Sequence, residues 1–393
     1  MKNSEIFEKD KQNVMQTYGR FPVVIDHGEG ATLYSPEGEK YIDFASGIGV
    51  NCLGYGNKKW IEAITNQASR LGHISNLFYS EPYVALAEKL TSRAGMKNAF
   101  FSNSGAEANE GMIKLARKYS FDKYGRGRSS IITLVNSFHG RTITTLNATG
   151  QEHFHQYFFP FTEGFRYAQA NSIKSLKEVY DGDVCAVMIE LIQGEGGVYP
   201  LDKEYVTAVA AFCEENDLLL LVDEVQTGIG RTGTLFAYQQ YGIVPDVVSF
   251  AKGIAGGLPM GGIMASEKTS AVFGAGDHAA TFGGNPICSA AAISVLEQLD
   301  EGVLSEVIKK GEYIRSKIEG FGCGNVVTTR GLGLIIGVQL KDASPKEINA
   351  KLIANGLLAL TAGSDALRLL PPLIISYEEI DQGLEIMKKT LTE

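Results

Sequence analysis

Asp223 and Lys252 are the two residues of this 393-residue chain whose surroundings look most like chemistry. Asp223 closes the apolar run LLLLVD, too short for a comfortable helix, and Lys252 ends a second short run, VVSFAK, before a stretch of Gly and Ala. Both runs predict buried parallel strands, and ligands of open α/β sheets bind at the carboxyl ends of strands. A carboxylate buried there needs a partner, because an isolated one costs several kcal/mol or more. A protonated heteroaromatic ring nitrogen would serve. Lys252 would be partly desolvated, which lowers an amine from a pKa of about 10.4 toward the roughly 7 to 8 useful in a nucleophile, and such a lysine forms imines with carbonyl compounds. The same pair also fits a plain buried salt bridge between neighbouring strands.

Two further stretches belong with these residues. In FFSNSGAEANEGMIKLARKY a short strand breaks at Asn103-Ser104-Gly105 and a helix follows. Ser104 and Glu107 have capping-box spacing, so the stretch is at least a well-capped helix start. The free backbone N–H groups of Gly105 and Ala106 would also make a phosphate cradle. NSFHGRT follows the strand IITLV and sets Phe138, His139 and Arg141 at the same sheet edge, an aromatic face beside a fixed positive charge. A lone loop arginine is otherwise a solvated surface residue.

Three patterns carry less. GIGRTG (228–233) fits GxGxxG, but only a short helix fits before Pro245 and no acid ending a second strand follows about twenty residues on, so it reads as a loop. A nucleotide-dependent oxidoreductase built on it is the alternative from a different class. Asp223-Glu224 resembles an NTPase magnesium site, yet no GxxxxGK[ST] occurs. His153 and His155 lack a third ligand, so no metal is expected.

The elements that must position these residues are those of a globular α/β protein. The chain is 44% apolar and 21% charged, enough for a large core in two lobes. Its net charge of -9 argues against nucleic acid and anionic membrane. Five widely spaced cysteines, a polar N-terminus and no span-length apolar stretch point to a cytoplasmic protein with reduced thiols. Residues 1–17 predict a short amphipathic helix, and Pro22 to Phe44 a small antiparallel sheet with turns at 27–30 and 36–38. From Ala99 to Ser266 strands alternate with helices, which means a mostly parallel central sheet with helices on both faces. From Pro286 two helices lead to a smaller α+β lobe. The expected division is 1–45, an N-terminal arm and small sheet belonging to the small lobe, 46–285, a large domain, and 286–393, a C-terminal small domain.

Taken together, SNSGAEANE, FHGRT, IQGEGG, VDEVQTGIGRTG, FAKGIAGGLPMG and TFGGNP resemble the motifs of the class III (ω-type) aminotransferases, which are fold-type I enzymes dependent on pyridoxal 5'-phosphate (PLP). The resemblance spans essentially the whole chain. It implies a large PLP-binding domain in which Lys252 holds the cofactor and later shuttles a proton, Asp223 keeps the ring nitrogen protonated, and Gln226 bonds the phenolic oxygen. It further implies Phe138 and Val225 against the ring faces, and Ser104, Gly105 and Ala106 at the phosphate. Thr281 would reach that phosphate from the other subunit of a homodimer. Arg141 would bind a substrate carboxylate, while Glu195 would neutralise Arg368 in one half-reaction and release it in the other. SNLFYSEP and the compact length are closest to members acting on N-acetylornithine with 2-oxoglutarate, in arginine biosynthesis. The same scaffold serves ornithine, succinylornithine, succinyl-diaminopimelate, GABA and aminomutases. One departure stands out: Ala279-Ala280 replaces the Gly-Ser common in relatives, so a hydroxyl near the substrate is absent at Ala280.

Overall fold

The computed structural model of the chain describes residues 3–392. Its centre is a seven-stranded sheet in the order Asn98–Ser102, Gly261–Ala265, Val247–Phe250, Leu219–Asp223, Val184–Ile189, Ser130–Leu134, Phe165–Ala168. Six strands are parallel and Gly261–Ala265 runs against both neighbours. The reversal follows from length, since the link from Ala251 to Met260 is shorter than the dozen or so residues that a crossover needs.

Leu219–Asp223 and Val247–Phe250 are buried along their whole length because helices cover both faces. Successive residues serve opposite sides of the sheet: Leu220 and Val222 pack into one apolar cluster, Leu219 and Leu221 into the other. The two strands are direct parallel neighbours with Asp223 opposite Ser249. Asp223 and the turn beginning at Lys252 therefore emerge side by side at one edge, as expected.

Two four-stranded sheets flank this core. His27–Glu29, Thr32–Tyr34 and Lys40–Asp43 are antiparallel, and Leu357–Leu358 from far along the chain adds to the last of them in parallel. Residues 27–29, expected in a turn, are strand, and the reversal sits at Gly30, whose φ of 59° suits glycine. The other sheet is antiparallel in the order Val326–Leu332, Ile335–Leu340, Ala366–Leu369, Leu360–Ala362. The first helix, expected over 1–17, ends early and spans Asn3–Asn13, residues 1 and 2 lying outside the described residues, and none of its residues is buried. Val14 and Met15 lie past its end and are exposed, so there is no apolar face to extend it.

GIGRTG forms a loop with no helix at its glycines. Arg231 within it is buried and donates Nη1 to the carbonyls of Leu334 (3.0 Å) and Pro371 (2.5 Å). The loop is thus a packing joint to the C-terminal residues rather than a dinucleotide fingerprint. No helix among the described residues is long and apolar enough to cross a membrane, and all five cysteines are free thiols.

The same close packing recurs where Gly311, in the helix Glu301–Glu319, meets the turn at Gly333. A Cβ at Gly311 would lie 2.0 Å from the Gly333 carbonyl oxygen, a backbone atom. Gly311→Ala is expected to destabilise the protein by about 1 to 3 kcal/mol, the usual range for overpacking. An unchanged denaturant midpoint would show that the helix shifts freely here.

Candidate active site

Asp223 is held by donors from four different segments. Its Oδ2 accepts from Asn109 Nδ2 at 2.7 Å and from His139 Nδ1 at 2.8 Å. Its Oδ1 accepts from the Val225 N–H at 3.0 Å, with Ser249 Oγ at 3.4 Å. Asn109 lies one turn into the helix Gly105–Tyr124 and also donates to the His139 carbonyl at 2.7 Å, which ties that helix to the NSFHGRT loop. Among the described residues Asp223 makes no ion pair with Lys252, so the salt-bridge reading falls. His139 Nε2 and Asn109 Oδ1 remain buried without partners.

Lys252 starts a 3₁₀ turn with a φ of 50°. Burial lowers its pKa; the Arg368 charge works in the same direction, while Glu195, Asp223 and Glu190 oppose it. The amine thus lies closer to neutrality than an ordinary lysine.

At the helix start, Glu107 N donates to Ser104 Oγ at 3.2 Å, and Glu107 Oε2 accepts from Ser104 Oγ at 3.0 Å and from the Asn103 N–H at 2.9 Å. The cap reading therefore holds, with Glu107 reaching Asn103 rather than the backbone of Ser104. The first helical bond is Ala108 N to Ser104 O, which leaves the Gly105 and Ala106 N–H groups ahead of it in the cavity wall. A Cβ on residue 105 would sit 2.7 Å from Val225 Cγ1, so only glycine fits there.

These groups line one cavity of about 610 Å³ together with Phe138, Arg141, Glu190, Val225, Gln226 and Tyr18. A second cavity of about 830 Å³ shares Phe138, Arg141 and Lys252 with it and runs past Glu195 to residues 361–365. At the junction Arg368, 3% exposed, donates Nη1 to Glu195 Oε1 at 2.7 Å and to Gln226 Oε1 at 3.1 Å. Burial raises the Glu195 pKa, but the charge and hydrogen bond of Arg368, helped by Lys252 and Gln226, bring it below the usual range. Arg141 is exposed, with its guanidinium 4.3 Å over the Phe154 ring and 5.7 Å over Phe138.

Thr281 and Ala280 do not join the others. Neither lines either cavity; Thr281 is exposed, and the Ala280 and Gly283 carbonyls are held by Asn76 Nδ2 at 3.2 and 3.0 Å. His155 Nε2 donates to the Leu146 carbonyl at 2.9 Å, and the His153 ring lies tilted against Phe154.

A family model described as aminotransferase class-III matches residues 14–391. The chain is a class-III aminotransferase. It is 48% identical over 395 residues to an acetylornithine aminotransferase of Haemophilus ducreyi, with all of both chains covered. It is 49% identical to one from Caldanaerobacter subterraneus, covering 98% of each. Among solved structures it matches ornithine aminotransferase from Toxoplasma gondii with a TM-score of 0.95 at 30% identity, covering all of this chain and 95% of that one. It also matches acetylornithine aminotransferase from Elizabethkingia anophelis at 0.88 and 32%, covering 100% and 99%.

The fold is accordingly fold-type I, and the aminotransferase depends on PLP. Its residues fit that cofactor on their own terms. The cavity offers free helix-start N–H groups where a Cβ is forbidden, an aromatic face, a buried carboxylate satisfied only by groups without fixed charge, and a desolvated amine.

Two further acids lie close to Asp223, Glu190 and Glu224. Glu190 ends the strand VCAVMI as Asp223 ends its own, so the same signal marked it; its Oε2 accepts from the Phe138 N–H at 2.9 Å. Burial pushes it well above the carboxylate range, reinforced by Asp223 and Glu195 and opposed by the Phe138 N–H and Lys252. Glu224 turns away into the core, where it accepts from Thr227 Oγ1 and the Tyr238 N–H, so it offers no metal site with Asp223. Burial lifts Glu224 from 4.5 to about 7. The folded state therefore holds this proton more tightly than the unfolded chain: the associated stability is complete below about pH 4.5 and is lost as pH rises through about 7. Glu224→Gln should remove this slope, leaving the variant more stable than the parent near pH 8 by on the order of 3 kcal/mol. Parallel stability curves from pH 4.5 to 8 would contradict it.

Proposed function

We propose that the aminotransferase moves the terminal amino group of N-acetylornithine to 2-oxoglutarate in two half-reactions at one site, a step of arginine biosynthesis. The observation that carries this is one free and one masked cation at the cavity junction. Arg141 makes no ion pair among the described residues, whereas Arg368 is held by Glu195 at 2.7 Å. A donor with one carboxylate and a terminal amine needs one cation, and 2-oxoglutarate needs two. The full-length similarity to acetylornithine aminotransferases supports the donor.

PLP, when bound, supplies an aldehyde carbon that takes the amino group and a ring that absorbs electrons as the proton leaves. Lys252 Nζ holds the cofactor and then carries the proton, a role suited to an amine that burial has brought toward neutrality. Asp223 keeps the ring nitrogen protonated and is itself oriented by Asn109 and His139. Ser104, Gly105 and Ala106 hold the phosphate, Phe138 and Val225 flank the ring, and Gln226 bonds the phenolic oxygen. Arg141 binds the donor's carboxylate while Glu195 pairs with Arg368 and masks its charge; Glu195 then gives up Arg368 to the α-carboxylate of the oxo acid. Ala280 leaves the donor without a hydroxyl contact there.

The working unit in this reading is a homodimer in the cytoplasm. Leu77, Phe78, Tyr79 and Phe282 are 88%, 65%, 98% and 59% exposed beside the Asn76 to Gly283 bonds, an apolar patch of the kind that self-associates. Thr281, outside its own cavity, would complete the partner's phosphate site. Residues 1–45 and 286–393 form the small lobe and 46–285 the cofactor domain.

Ornithine is the second donor to weigh, because ornithine aminotransferases share the fold so closely. Its free α-ammonium would need an acceptor that an acetylated amine does not.

In a panel of single half-reactions followed through the cofactor's visible absorbance, N-acetylornithine should react fastest, with 2-oxoglutarate restoring the band. A faster reaction with ornithine would overturn the donor assignment. Arg141→Leu should raise KM for the donor by about 10- to 100-fold, the worth of a charge-assisted hydrogen bond. Lys252→Ala should abolish turnover; a variant retaining full activity would remove Lys252 from the mechanism.

A further inference from the structure

The Glu195–Arg368 pair joins a loop and a strand that belong to different sheets. Glu195 lies between the short strands Ile192–Gln193 and Tyr199–Pro200, and Arg368 lies on Ala366–Leu369 just after the hairpin at 363–365. For Glu195 to hold Arg368 in one half-reaction and leave it in the other, the distance between these segments must be fixed while the side chain moves. Arg330 provides the fixing. It lies on a third element, Val326–Leu332, with its side chain 12% exposed. Its Nε donates to the Gly197 carbonyl at 2.7 Å, two residues beyond Glu195. Its Nη2 donates to Asp365 Oδ1 at 3.1 Å, three residues before Arg368. The guanidinium lies 3.8 Å over the Tyr199 ring, and Asp365 Oδ2 is held in turn by Gln339 Nε2 at 2.8 Å. The two loops also touch directly: Gly363 N donates to the Glu195 carbonyl at 2.9 Å, and a Cβ at Gly363 would lie 2.8 Å from the Gly196 oxygen. Only arginine has a planar fork that makes two directed bonds and stacks at once.

Resting on the two-substrate reading above, we infer that Arg330 is a positioning residue for the Glu195–Arg368 pair and so for the preference of the site for terminal amines over α-amino acids. It touches neither substrate nor cofactor. With the backbone of 195–197 clamped, Glu195 leaves Arg368 by rotating its side chain and returns to the same place. With the clamp cut, the 194–198 loop loosens, the pair weakens, and Arg368 is open to α-carboxylates in both half-reactions. Glutamate, which presents an α-amine between two carboxylates, then gains as a donor relative to the terminal amine.

The test is the ratio of kcat/KM for glutamate to kcat/KM for N-acetylornithine in single half-reactions of the holoenzyme. Arg330→Gln is expected to raise this ratio by about 3- to 30-fold, the range for coupled neighbours. Glu195→Gln should raise it as well, and adding Arg330→Gln to that variant should change it less than about 2-fold, since both act through one pair. A merely structural role would lower both values together and leave the ratio unchanged. That outcome, or an equal shift in the Glu195→Gln background, overturns the inference. Arg330→Lys, which keeps a single donor, should give an intermediate ratio and carries the test where Arg330→Gln yields no folded holoenzyme. If the parent enzyme prefers another terminal amine, the ratio is taken against that amine, so the donor assignment can fail while the role of Arg330 stands or falls by itself.

Discussion

A carboxylate with 4% of its surface exposed, at the end of a strand covered on both faces, is the constraint around which the site is built. Removing a charge from water at such depth costs several kcal/mol unless its lone pairs are met and an opposite charge stands near. Asn109, His139 and the Val225 N–H meet the lone pairs of Asp223, but none brings a fixed positive charge. The protein thus satisfies the geometry of the carboxylate without a fixed positive charge; in the proposed site the protonated ring nitrogen of the cofactor would supply it. Glu190 shows the alternative outcome a strand away: with one N–H bond and two acidic neighbours, it is driven toward its neutral form. Similar strand ends thus carry different hydrogen-bond shells, three donors within 3.0 Å at Asp223 against one at Glu190.

The same economy governs the cations. Lys252, Arg141 and Arg368 all line or border the cavities, and three bare positive charges would bind any dicarboxylate without discrimination. Burial moves Lys252 toward neutrality, Glu195 masks Arg368, and Arg141 lies against two aromatic rings with its charge exposed. Only one full cation is then presented to a donor. In the proposed reaction the mask is a side chain, which would return the second cation when the oxo acid enters.

Much of this was legible in the sequence where a local rule applied. Buried strands read as apolar runs, Ser104 and Glu107 as a cap, and Asp223 and Lys252 as groups that a sheet edge would bring together. Spacing alone left a salt bridge open at that pair, since it does not report side-chain partners; Asn109 and His139, which exclude it, are far apart in the chain and ordinary in type. Glu190 carried the same strand-end signal as Asp223 and was obscured by the busier motif that follows it. Arg330 had no signal, because its role consists of bonds to Gly197 and Asp365, residues brought near it only by the folded sheets. The first helix was overextended because Val14 and Met15 fit its periodicity, while nothing in the fold covers them.

The origin of each residue also explains why close structural likeness and donor identity separate in this family. The groups proposed to meet the cofactor stand at strand ends and helix starts around one seven-stranded sheet. Those proposed to sort substrates come from elsewhere: Arg368 from a second sheet, Glu195 from a short hairpin, Arg141 from a loop, with Arg330 bonded beside two of them. Backbone agreement over the whole chain at 30% identity, as with an ornithine aminotransferase, therefore reports the shared cofactor chemistry. In the proposed reading, a change of substrate would fall on the contacts of Arg368, Glu195 and Arg141, outside the seven-stranded sheet.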